Sequence, residues 1–450
     1  MLANADFVIQ DADTVRHRSC VVVDGNQIAE VREFCRDLAT NCNIIDCSGL
    51  LLMPGFVNAH THLFQVLTRG LGKELGVREW AKSVTYPVAR RLAADEYYAA
   101  ALLACADSIR NGCTALVDHS THFARFYADQ SCRALLDAGL RGAVARGGSD
   151  MSLVDDGEAR SLDADLYDTA EFLARWSEAG RVQGWVGPSG FHSCSPKALQ
   201  AFKRLAQTSR TRFHLHLAES SAGLAEAKEA GFLGEAHWAE ELGLVDEGSS
   251  FAHAVWVCDN EIERIARKGC YVVHCATSNQ LLASGVAPFR AMLDAGVPVA
   301  LATDGASSND CLDMVAEMKS AALLARVTDH RPDATKARDV FHAATEAGAR
   351  LMGYEKLGRI APGYLADIIG VRLRDNPSLT PCNDPLATIV FSASGRDVAF
   401  VMVDGAVLFR DSKFVTLDIR HVIDQVNAIA ARYREDFWQT DSVRVQTGVA

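Results

Sequence analysis

The stretch Met53-Pro54-Gly55-Phe56-Val57-Asn58-Ala59-His60-Thr61-His62 decides how this chain is read. It follows an apolar run, residues 44–53, that breaks at Pro54-Gly55. On an extended strand, residues i and i+2 point to one face, so the imidazoles of His60 and His62 aim at a common point, as a metal requires of two ligands. A His-x-His pair alone is also a common surface accident. What gives this pair weight is a series of later apolar runs that end in polar residues. His214 and His216 alternate in Phe213-His214-Leu215-His216, and Glu219 stands three residues beyond His216. His253 follows Ser250-Phe251-Ala252, and Asp304 follows Pro298-Val299-Ala300-Leu301-Ala302-Thr303. A carboxylate after six small or apolar residues is costly to bury unless it is paired or bound to metal.

Between about residues 52 and 352, short apolar runs alternate with helical patterns. Strands are expected at 113–118, 141–146, 182–187, 212–217, 250–254, 270–274 and 297–303. Helices are expected at 96–111, 127–138, 165–179, 196–207 and 259–268. With the strand ending at His60 this makes roughly eight βα units, which predicts an α/β chain folded as a (β/α)8 TIM barrel. An open doubly wound sheet is the alternative, weakened because no Gly-x-Gly-x-x-Gly opens a helix after the first strand. In a barrel the strand ends share one rim. His60, His62, His216 and Asp304 then converge on one divalent metal. Three imidazoles and a carboxylate suit Zn2+, with Fe2+ the alternative. Such a metal makes a solvent molecule nucleophilic near neutral pH. Glu219 is placed to protonate a substrate ring nitrogen, His253 to polarise the attacking water, and Asp304 to carry its proton to the leaving group.

The two ends of the chain look alike. Cys20-Val21-Val22-Val23-Asp24-Gly25-Asn26-Gln27-Ile28 and Phe400-Val401-Met402-Val403-Asp404-Gly405-Ala406-Val407-Leu408 are each a β run, a turn and a second run. A small β-sandwich domain built from both termini accounts for this: residues 1–52 and 356–450 flank a barrel of 53–355, with a terminal helix at 418–437. The chain has 450 residues, net charge −12 and 23% charged residues, which argues against a phosphate-backbone partner and for a cytoplasmic protein acting on a small molecule. Thirteen scattered cysteines without a Cys-x-x-Cys pair read as reduced thiols. Neither a secretory signal nor a run of about 20 apolar residues is evident, so no membrane association is expected.

Other histidines admit plainer readings. His214 faces a supporting acceptor. His274 reads equally as a substrate contact or an interior histidine. One of His119 and His122 lines the pocket, and Asp118 reads as a structural cap. His17, His237, His330, His342 and His421 sit in ordinary helical or loop patterns.

With these residues assembled, the chain resembles the amidohydrolase superfamily, in its branch of amino-heterocycle deaminases and chlorohydrolases. The resemblance covers nearly the whole chain. It rests on Pro54 to His62, His216-Leu217-Ala218-Glu219, Ala252-His253-Ala254, Ser278-Asn279 with Ala283-Ser284-Gly285, and Thr303-Asp304-Gly305-Ala306-Ser307-Ser308-Asn309. It implies a distorted (β/α)8 barrel with a terminal β-sandwich and one metal on His60, His62, His216 and Asp304. It also implies Glu219, His253 and Asp304 in catalytic roles and a homo-oligomer. No lysine stands where binuclear relatives carry a carbamylated one.

Within the branch, nucleoside deaminases carry a glutamate where this chain has Ala89, shortly after Trp80, and a histidine after Gly-Pro where it has Gly187-Pro188-Ser189. Gln65 instead resembles the guanine, 8-oxoguanine, isoxanthopterin and triazine enzymes, and an amide there suits a lactam edge. Gln65, Trp80, His119, Arg146 and Ser189 are the expected substrate contacts, Arg146 reading also as a buried structural arginine. The expected activity is metal-dependent hydrolytic deamination of an amino-substituted oxo-heterocycle such as 8-oxoguanine, guanine or isoxanthopterin. The alternatives are triazine amino- or chlorohydrolysis and methylthioadenosine/S-adenosylhomocysteine deamination. A non-catalytic scaffold on the same barrel would have lost its ligands, and here all remain. The zinc cytidine deaminases are excluded because Pro381-Cys382 lacks their second cysteine.

Overall fold

The computed structural model describes residues 1–33, 43–151, 160–177 and 180–438. Eight parallel strands form one sheet, in chain order β1 (Phe56–Thr61), β2 (Cys113–Ser120), β3 (Arg141–Arg146), β4 (Val182–Val186), β5 (Phe213–Leu217), β6 (Ser249–His253), β7 (Tyr271–His274) and β8 (Val299–Leu301). Nearly every residue in them is buried, as expected of strands covered on both faces. Helices alternate with them, among them Ala94–Arg110, Ala128–Ala138, Leu162–Trp176, Pro196–Thr208 and Asp259–Arg267. Local chemistry explains their positions. In Pro196–Thr208, the Ser195 hydroxyl accepts from the Ala198 amide and Pro196 stands at the first turn. Ala198, Leu199, Phe202 and Ala206 form the buried stripe.

Strands β8 and β1 lie at the two ends of the ladder, so the barrel is nearly closed rather than continuously paired. Its seam is laced by a side chain. The Thr303 amide donates to Asn58 Oδ1 at 3.0 Å, and Asn58 Nδ2 donates to Thr303 Oγ1 at 2.7 Å. Beside them the Asp304 amide donates to the His60 carbonyl at 3.1 Å, which fixes the two ends of the site against each other.

A second, nine-stranded mixed sheet joins the termini. Its central order runs Val398–Val403, Ile368–Arg372, Leu50–Pro54, Leu2–Ile9, Val15–Asp24. Both look-alike segments are hairpins of this sheet. The Asp404-Gly405 turn has positive φ at both residues, 54° and 78°, the mirror-image turn that suits strand twist. The two turns touch, Asn26 Nδ2 donating to Asp404 Oδ1 at 3.1 Å. The apolar run broken at Pro54-Gly55 thus divides between the two sheets. The terminal helix spans Ile419–Trp438; residues 439–450 of the expected C-terminal unit lie outside the described residues. Among the described residues the cysteines are free, and no helix is long and apolar enough to cross a membrane.

Candidate active site and metal centre

His60 lies in β1 and His62 directly after it, His216 in β5, His253 at the end of β6, and Asp304 just past β8. All therefore stand at the same ends of their strands. The ligand atoms of His60, His62 and Asp304 lie within 4.8 Å of one another, as do those of His60, His216 and His253. Asp304 Oδ1 is 3.3 Å from His60 Nε2 and 3.4 Å from His62 Nε2, while His216 Nε2 is 3.3 Å from His62 Nε2. These spacings are long for direct hydrogen bonds and suited to atoms sharing one cation.

The other ring nitrogens are occupied. His62 Nδ1 donates to the His119 carbonyl at 2.7 Å and His216 Nδ1 to the Ser189 carbonyl at 2.8 Å. His60 Nδ1 meets His214 Nε2 at 2.7 Å, and His214 Nδ1 meets Ser250 Oγ at 2.7 Å. Neutral rings donating outward through Nδ1 leave each Nε2 lone pair facing the centre. Asp304 Oδ2 accepts from Ser278 at 2.7 Å and Ser308 at 2.8 Å. By contrast, His60 Nε2 and Asp304 Oδ1 are buried without a hydrogen-bond partner. Orphaned buried polar atoms are costly. Aimed at one point, they fit a divalent metal held by His60, His62, His216 and Asp304.

Electrostatics agree with that donor set. Burial, outweighing the attraction of the nearby Asp304 carboxylate, lowers His60 to about 4, and burial with neighbouring imidazoles holds His216 well below the ordinary range. Burial pushes Asp304 upward, but the close approach of His60 and the surrounding imidazoles hold it well below the usual carboxylate range. Neutral imidazoles and an ionised carboxylate are the ligand forms of metal-binding side chains. The backbone is strained around the same point: Ala218, His253, Ala254 and Asp304 have φ of 52°, 76°, 46° and 63°.

One cavity, of about 1130 Å³ with its open mouth, carries His62, His216, Asp304, Glu219, His253, Gln65 and Trp80 on its wall. Glu219 Oε1 is 3.8 Å from His253 Nε2, and burial raises the Glu219 carboxyl. His253 Nδ1 meets Asn279 Oδ1 at 3.0 Å. Gln65 Oε1 is buried without a partner, whereas the Trp80 indole donates to Ser307 at 3.2 Å and offers only its ring.

Three expected substrate contacts lie elsewhere. Arg146 turns away from the cavity and its guanidinium donates to Thr169 Oγ1 and the Asp165 carbonyl, so it is built into the packing of the helix Leu162–Trp176. His119 is fully buried, with Nε2 on the Gly187 carbonyl at 3.1 Å, and supports His62 through its own carbonyl. Ser189 acts through its backbone on His216. Of the pair His119 and His122, His122 reaches the cavity, where Tyr86 Oη meets its Nε2 at 2.6 Å. His274 is buried against Phe289 away from the cavity. Sequence reasoning missed Tyr86, His192, Arg78 and Glu235 on the wall. His192 is pushed down to about 3 by burial, His122 and Arg78. Its position four residues after Pro188, on the loop leaving β4, was the available signal.

The chain is 36% identical to the 5'-deoxyadenosine deaminase of Methanothermobacter thermautotrophicus over 425 residues, covering 94% of this chain and 96% of that one. It is 33% identical to the 5-methylthioadenosine/S-adenosylhomocysteine deaminase of Pyrococcus abyssi over 425 residues, 94% of this chain and 97% of that one. Among solved structures, an adenosine deaminase from Xanthomonas campestris with bound zinc superposes with TM-score 0.88 and 26% identity, covering 96% of this chain and 98% of that one. The sequence model of the Amidohydrolase family matches residues 51–408. A near-closed barrel, a convergent histidine–aspartate cluster and these likenesses together identify the chain as a hydrolase of carbon–nitrogen bonds that belongs to the amidohydrolase family.

Proposed function

We propose that this enzyme hydrolytically deaminates an amino-substituted purine carried on a 5'-modified nucleoside, using one zinc ion. The convergence of His60 with His62, His216 and Asp304, the last three on the wall of a cavity that also presents Glu219 and His253, carries the reading. The substrate class is supported by the 5'-deoxyadenosine and 5-methylthioadenosine/S-adenosylhomocysteine deaminases it resembles. This reverses the preference for free oxo-heterocycles drawn from Ala89 and Ser189. His192 stands three residues beyond Ser189 and lines the same cavity.

A bound divalent metal supplies Lewis acidity that makes water nucleophilic near neutral pH. The protein's residues do the rest. His253, whose Nδ1–H is oriented by Asn279, presents Nε2 to accept a hydrogen bond from the attacking water. Burial raises the Glu219 carboxyl and so favours the acid form that donates to the ring nitrogen next to the attacked carbon. Asp304 Oδ1 faces the reacting centre while Ser278 and Ser308 hold Oδ2. It takes the water proton and passes it to the departing amine. Water replaces the amino group by oxygen and ammonia leaves. Gln65 and Trp80 contribute an amide and an aromatic face to the ring.

One observation favours the oxo-heterocycle reading: the buried, unpartnered Gln65 Oε1 matches the N–H of a lactam. An ammonia-release assay with 5'-deoxyadenosine, methylthioadenosine, S-adenosylhomocysteine, guanine, 8-oxoguanine and isoxanthopterin separates them. We expect the adenine nucleosides to have the highest kcat/KM. Faster turnover of the free oxo-bases would overturn the nucleoside reading and favour the second.

A further inference from the structure

Glu235 is a buried carboxylate for which the chemistry above has no use. It begins the helix Glu235–Glu241 and reaches the cavity wall. Its Oε2 accepts the Ala218 amide at 2.6 Å. Ala218 joins the end of β5 to Glu219 and holds a left-handed φ of 52°, which alanine does not favour unaided. The carbonyl side of this turn is tied to the turn after His253. Val255 and Trp256 donate to the Ala218 carbonyl at 3.0 and 2.9 Å, and Ala254 donates to the Leu217 carbonyl at 3.0 Å. The amide side is held by Glu235. Rotation of the peptide between Leu217 and Ala218 would swing the next side chain, Glu219, away from His253.

A second observation shows that this contact is accommodated. Gly223 lies within the helix Ser221–Glu229, where glycine is unfavourable. A Cβ on Gly223 would stand 2.1 Å from Glu235 Oε1, so glycine leaves the space the carboxylate occupies.

We propose that Glu235, given room by Gly223, is a positioning residue that clamps the left-handed Ala218 peptide and thereby aims Glu219 at the substrate. The proposal rests on the role assigned to Glu219. Its test compares the metal-loaded full chain with E235A, E235Q, G223A and G223A/E235A. In E235A, kcat falls about tenfold or more while KM stays within roughly threefold and metal content is unchanged. E235Q, which keeps an acceptor oxygen, recovers kcat to within about threefold of the parent. G223A reproduces the defect with the glutamate still present, and the double variant is no worse than E235A, because both changes break one contact.

Amide hydrogen exchange of residues 217–219, read without turnover, speeds up in E235A and G223A but not in E235Q. Unchanged exchange and kcat in folded E235A would overturn the proposal. So would an E235Q defect equal to that of E235A, or an effect confined to KM, which would make Glu235 a substrate contact. Should E235A fail to fold, E235Q and G223A carry the same comparison. If the parent enzyme releases no ammonia from any substrate, the assigned function fails, while the exchange data still decide whether Glu235 holds the turn.

Discussion

At the scale of single residues, the site is a division of labour between the two ends of each side chain. Asp304 gives one oxygen to two serines and keeps the other bare. Replacing Asp304 by Ala is expected to abolish ammonia release and lower metal content, both measurable on one preparation. Glu219→Gln keeps the shape but cannot donate an acidic proton. Metal content should stay at the parent level while kcat falls by roughly 10²–10⁴. Full activity would remove the proton-transfer role. Because burial raises the Glu219 carboxyl, activity requiring its acid form persists above the ordinary glutamate range and declines as pH rises through the raised value. His214 touches no metal-facing atom but fixes His60 through Nδ1. Substituting it by Ala should weaken metal affinity on the order of 10–100-fold, read by competition with a chelator.

At the scale of elements, the strands and helices were legible because burial on both strand faces and on one helix stripe leaves period and composition signals. The expected β3 coincides with Arg141–Arg146, and the expected helix at 196–207 differs from Pro196–Thr208 by one residue. The polar strand ends were legible too, since each interrupts an apolar run. What the sequence hid were contacts between residues far apart in the chain: His192 and Tyr86 on the cavity wall, and Asn58 across the barrel seam. Arg146 shows the converse. It ends a barrel strand like the site residues, yet it faces the surrounding helix, and strand register alone does not reveal that. Asn58→Ala removes both hydrogen bonds to Thr303 and leaves a buried amide without its acceptor. It should cost on the order of 2–4 kcal/mol in denaturant unfolding and reduce activity, because Asp304 follows Thr303.

At the scale of the whole molecule, the terminal sheet and the barrel share one stretch of chain, and the hairpins from the two ends meet at Asn26 and Asp404. The interior also stores protons. Burial raises Glu235 and Glu317 to about 7, from 4.5 in a free chain. Between pH 4.5 and 7 the folded protein holds protons that the unfolded chain has released, so stability from these groups is fully present at the lower pH and is lost as pH rises through 7. Each group contributes roughly 3 kcal/mol across the window, and E317Q should flatten the slope of unfolding free energy against pH. Asp304, held low, acts with the opposite sign and only in more acid solution. Four side chains at the ends of three barrel strands are assigned to one metal without which no deamination occurs. The most direct measurement is elemental analysis alongside ammonia release before chelation, after it, and after readdition of zinc. We expect about one metal per chain, loss of both metal and activity on chelation, and return of both with zinc. Undiminished ammonia release from metal-free protein would overturn that assignment.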